Sequence, residues 1–107
     1  MFRPFALAST ILVLSTAAHA AGDVAAGKKV AHAVCAQCHD VSDDPRPLPR
    51  REKGMPPAFI AVAQDPALTD ERLREFLHLP HGEMDHLLIT RKDADDVTAY
   101  VLSLRRH

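Results

Sequence analysis

The sequence predicts an all-α domain over residues 21–107, and three observations carry that expectation. Apolar residues recur at three- and four-residue steps in three separate segments. Each of those segments follows a residue able to cap a helix, and no stretch alternates convincingly at period two. The chain has 107 residues, the length of one domain. Apolar residues make up 47% of it but aromatics only 5%, with one Tyr and no Trp. There is aliphatic mass for a core, then, but few large rings to fill it. Lys and Arg number 13 against 14 Asp and Glu, a formal charge of −1. That balance argues against a nucleic-acid binder, which normally carries a marked basic excess. No internal repeat or low-complexity tract follows residue 20.

Residues 1–20 read MFRPFALASTILVLSTAAHA. A short basic start at Arg3 precedes an apolar stretch from Phe5 to Ala18, and Ala18-His19-Ala20 puts small residues around a bulky one. This is the layout of a secretory signal peptide, with cleavage expected after Ala20. The apolar stretch is shorter than the roughly 20 residues of a membrane-spanning helix, and no other segment is long and apolar enough to span. Residues 21–107 are therefore expected as an exported, soluble, periplasmic domain. That domain sits just above the roughly 70–80 residues below which a small fold usually needs a staple.

Asp23 can cap a first helix from about Val24 to Ala36, in which Val24, Gly27, Val30, Ala31 and Val34 share one face. Residues 57–64 can make a short helix. Thr69 can cap the next, with Asp70 and Glu71 favourable in its first turn and Leu73, Phe76 and Leu77 as its apolar stripe. Pro80 and Gly82 stop it. Thr90 can cap the last, with Ala94, Val97, Val101 and Leu104 on one face. Arg105 and Arg106 stand at its C-terminus, where positive charge suits the helix dipole.

The chain has two cysteines, Cys35 and Cys38, in the run Cys35-Ala36-Gln37-Cys38-His39. A disulfide between them would close too short a loop to restrain the unfolded chain much. A thioredoxin-like pair needs a preceding strand and a βαβ unit, and the upstream segment is helical in pattern. Structural zinc wants four ligands and finds no second Cys pair, although spare histidines could serve. Covalent haem attachment fits best: the thiols add to the vinyl groups and the next residue, His39, becomes the proximal iron ligand. The three-residue offset sets both sulfurs on one side of a helical turn.

With that motif in place, residues 21–107 resemble the small class I cytochromes c of bacteria. The resemblance runs through CAQCH, a Pro-rich loop, PPAFIAVA, LTDERLREFL, PHGEM and a final helix ending DDVTAYVLSL. It implies the class I cytochrome c fold wrapped around one haem c per chain. It also implies a close crossing of the first and last helices, with Gly27 and Tyr100 as the matching pair. A backbone carbonyl in the Pro45–Pro49 stretch is expected to orient His39 through its second ring nitrogen. After Met1, the methionines are Met55 and Met84. Met84 lies in the loop before the final helix, where the family places its distal iron ligand, whereas Met55 is hemmed in by Gly54, Pro56 and Pro57. His81 and His86 flank Met84 as possible competitors. Asp85 follows Met84 where much of the family has a proline, which leaves the loop looser.

With both axial positions filled by His39 and Met84, the iron has no place for substrate. The expected role is a monomeric single-electron carrier between a redox donor and acceptor, not an enzyme. Two other roles remain: a haem peroxidase or gas-binding sensor with an open sixth site, and a haem subunit of a larger redox complex. Arg46, Arg50, Arg51 and Lys53 form a basic cluster that could meet a haem propionate or an acidic partner, or simply be solvated. His32, His78 and His107 are expected at the surface, and Phe59, Phe76 and Leu87 in the pocket wall.

Overall fold

In the computed structural model the described residues are 1, 22–44, 53–79, 84 and 89–106. Residues 2–21, the Pro45–Pro49 stretch, Arg46, Arg50, Arg51, Pro80, His81, Gly82, Asp85, His86, Leu87 and His107 lie outside them. Four helices follow in chain order: α1 (Val24–Ala33), α2 (Phe59–Ala63), α3 (Asp70–His78) and α4 (Arg91–Ser103), with a 3₁₀ turn at Cys35–Gln37. Among the described residues there is no strand, and no helix is long and apolar enough to cross a membrane.

The three caps read from the sequence form. Asp23 accepts from the Ala26 N–H at 2.9 Å, and Thr69 accepts from the Arg72 N–H at 3.2 Å. Thr90 accepts from the Asp93 N–H at 3.0 Å while its own N–H donates to the Asp93 carboxylate at 3.1 Å, a reciprocal box in which Asp stands for the usual Glu or Gln.

Two helices are shorter than the sequence predicts. α1 stops at Ala33 rather than Ala36 because the chain then tightens into the 3₁₀ turn, where the N–H groups of Cys38 and His39 both bond the Cys35 carbonyl, at 3.1 and 2.9 Å. α2 spans five residues, since Pro56 and Pro57 offer no N–H and Ala58 is extended, at ψ 143°.

All packing converges on α4. Its Ala94, Val97, Tyr100 and Val101 are buried, and α1, α2 and α3 each lie against it. The α1–α4 crossing is set by glycine. A Cβ on Gly27 would fall 1.9 Å from the Asp96 carbonyl oxygen and 3.0 Å from the Tyr100 Cβ. The paired contact of Gly27 with Tyr100 is therefore present, but the α4 backbone, more than the Tyr100 Cβ, forbids a side chain. Gly22 repeats the device one turn earlier, with a Cβ position 2.0 Å from the Asp95 carbonyl.

Within the polypeptide Leu73 is the buried member of the α3 stripe, with Leu77 partly covered and Phe76 51% exposed. Two expectations need correction. His78 is not a plain surface residue: its side chain is 21% exposed, with Nε2 3.3 Å from Asp95. Arg105 does not serve its own helix. It reaches instead to the carbonyl of Ala63 at the end of α2, at 2.8 Å, and to that of Leu68 in the connection to α3, at 2.9 Å.

Candidate haem site

The 3₁₀ turn that ends α1 separates the two thiols by environment. Cys35 is buried and Cys38 exposed, and neither is in a disulfide. Burial pushes the Cys35 thiol above its ordinary range. Among the described residues no three His, Cys, Asp or Glu side chains gather as a metal site. The zinc reading therefore finds no ligand set there.

His39 is half-buried and held from two directions. Its Nδ1 lies 2.7 Å from the Pro57 carbonyl oxygen. A carbonyl has no proton to give, so Nδ1 is the donor, and Nε2 is left with its lone pair for a metal. The Phe59 ring packs beside the imidazole, with centroids 5.3 Å apart and planes inclined at 52°. The carbonyl was expected between Pro45 and Pro49; the structure supplies it from Pro57. The reason is a backbone tie: the Phe59 N–H donates to the Asp40 carbonyl at 2.9 Å, which seats residues 57–59 against the chain just after His39. Nothing in the sequence singles out one carbonyl among several prolines.

Of the other predicted site residues, Met84 is half-buried and Met55 is 56% exposed. His81 and His86 lie outside the described residues, as do Arg46, Arg50 and Arg51 of the basic cluster. Lys53, its described member, is exposed. His32 is exposed on α1. Sequence reasoning missed Asp96, whose side chain is 5% exposed. It accepts from the Asp23 N–H at 2.8 Å and pairs with Lys92, which together hold its carboxyl below the usual carboxylate range, the Lys92 bond being the larger cause.

Two unpaired thiols of unequal exposure and an imidazole with Nδ1 committed form the donor set of a covalent haem site, so the residues present fit that group. A family model described as cytochrome c matches residues 24–105, and the chain belongs to the cytochrome c family. It is 33% identical over 91 residues to cytochrome c-552 of Bradyrhizobium diazoefficiens, a match covering 85% of this chain and 84% of that protein. No solved structure matches significantly. Membership makes the fold the all-α class I cytochrome c fold and makes haem c, with its iron, the cofactor. It places the chain among haem c electron carriers.

Proposed function

We propose that residues 21–107 act, after removal of the leader at Ala20, as a periplasmic monohaem carrier that passes single electrons between two redox proteins. Cys35 and Cys38 hold the haem by thioether bonds, His39 is the proximal iron ligand and Met84 the distal one. The observation that carries this reading is the 2.7 Å contact of His39 Nδ1 with the Pro57 carbonyl. It fixes the tautomer and leaves Nε2 available as the ligand. The haem, when bound, supplies a one-electron couple.

The polypeptide contributes binding and exclusion of water. Cys35 anchors from the buried side and Cys38 from the rim, while Phe59, which is 7% exposed, walls the imidazole. Met84 is favoured over Met55 because it is the less exposed of the two and because its loop leads into α4. Met84 rather than a second histidine as the other ligand would raise the reduction potential. With both residues holding the iron, none of its ligand positions would be left for a substrate, which favours a carrier over an enzyme.

Optical spectra of the exported protein in both redox states test this. The oxidised form should show the sulfur-to-iron charge-transfer band, and Met84→Ala should abolish it. Carbon monoxide should not bind the native ferrous protein. A band surviving in Met84→Ala would overturn the distal assignment, and immediate carbon monoxide binding would establish an open-site haem protein instead. The mass should equal the chain from Ala21 plus one haem.

A further inference from the structure

The segment leaving His39 is fastened residue by residue to three helices. The Asp40 carbonyl accepts from the Phe59 N–H of α2 at 2.9 Å. The Val41 carbonyl accepts from the Tyr100 hydroxyl of α4. Asp43 pairs with Lys28 of α1 at 2.6 Å. The Lys28–Asp43 pair is open to solvent, each side chain being 46% exposed, so it restrains the segment weakly. The Tyr100–Val41 bond is different. Tyr100 is 1% and Val41 4% exposed, and the bond spans 59 positions of sequence.

Tyr100 meets Gly27 at the α1–α4 crossing through its Cβ, which lies 3.0 Å from where a Cβ on Gly27 would stand. Its place is therefore set by the helix pair and not by the haem site. Packing at that crossing needs only a ring, which Phe would provide. A buried hydroxyl adds nothing to packing and is costly without a partner. Its partner is the carbonyl two residues beyond the proximal imidazole. We propose that Tyr100 is a positioning residue for His39: through Val41 it transmits the rigid α1–α4 frame to the imidazole and keeps the Nδ1–H on Pro57. This rests on His39 being the proximal ligand. Burial also raises the pKa of the phenol, so Tyr100 remains a neutral donor.

The test uses the matured holoprotein. Tyr100→Phe keeps the Cβ contact at Gly27 and the ring, and deletes the hydroxyl. Its His39 Nδ1–H should exchange with solvent about five- to tenfold faster, the range that loss of one hydrogen bond supports. The paramagnetically shifted haem methyl resonances of the oxidised form, which report the imidazole plane, should redistribute. Asp95→Asn serves as comparator. It weakens the α3–α4 contacts of Arg74 and His78 and should leave both signals at their wild-type values.

Because the chain has one tyrosine, biosynthetic 3-fluorotyrosine alters this hydroxyl alone. A more acidic phenol donates more strongly, so exchange should slow rather than quicken. If Tyr100→Phe moves these signals no further than Asp95→Asn does, Tyr100 is a packing residue and the proposal fails. Should Tyr100→Phe not mature, fluorotyrosine protein with unaltered exchange overturns it equally. A wild-type spectrum without axial-imidazole resonances overturns the ligand reading itself, a result separable from the other two.

Discussion

Two neighbouring carboxylates on α4 hold two different helices, and they do so by different physics. Asp96 faces α1. Its side chain is 5% exposed, it takes the Asp23 N–H at 2.8 Å, and it sits where Gly27 and Gly22 let two backbones touch. Asp95 faces α3. Its side chain is 33% exposed, and it meets Arg74 and His78 at 3.2 and 3.3 Å, ion-pair distances without hydrogen-bond geometry. The first junction is sterically specified; the second is a looser cluster of partly exposed side chains behind one buried residue, Leu73. α1 runs directly into the two cysteines, whereas α3 leads towards the segment bearing Met84. The half of the molecule that carries the two cysteines is thus the half built with least freedom.

Filling the α1–α4 crossing should break this contrast most severely. Gly27→Leu must push α4 away along its whole contact, and we expect a loss of about 3 kcal/mol or more in denaturant unfolding of the holoprotein. Helix propensity alone would predict a Leu at this position to stabilise, so an unchanged midpoint would refute the steric account.

Asp96→Asn comes next, at about 1–2 kcal/mol, from the loss of a charge-assisted bond at a buried site. Its pH dependence has a definite sign. The folded carboxyl titrates below its ordinary range, so its stabilisation is complete above the unfolded carboxylate pKa of about 3.9 and is lost as pH falls through the folded value. Wild type and Asp96→Asn should therefore converge on acidification. A constant gap between them across that window would show that the charge contributes nothing.

The smallest effect belongs to Asp95→Asn, about 0.5 kcal/mol at low salt. High ionic strength should shrink it towards zero. A loss comparable to that of Asp96→Asn, and insensitive to salt, would erase the distinction between the two junctions.

Much of the fold was legible because it is specified locally. Asp23, Thr69 and Thr90 cap within three residues of themselves, and Cys35, Cys38 and His39 are joined by one turn. Even Gly27 could be matched to Tyr100 through family resemblance. What failed was long-range or depended on how a local pattern met its neighbours. The periodicity of α1 continues to Ala36, yet the Cys35 carbonyl takes two bonds and tightens the chain. Charge placed Arg105 on the dipole of its own helix, while the Ala63 carbonyl at the end of α2 drew it away. His78 looked like surface because nothing in α3 announces that Asp95 lies opposite.

From its sequence alone this protein was determined to be helical and to carry a covalent-haem motif whose histidine is adjacent to a thiol. Those features follow from spacing, capping and side-chain chemistry within a few residues. Only the tertiary structure decided that Pro57 orients His39, that Tyr100 reaches Val41, and that Asp96 and Asp95 serve opposite helices. Each of these depends on a backbone carbonyl, or on a direction in space, that comes into place when distant segments pack. A carbonyl is the same in every residue, so the order of side chains carries no mark of which one will be used.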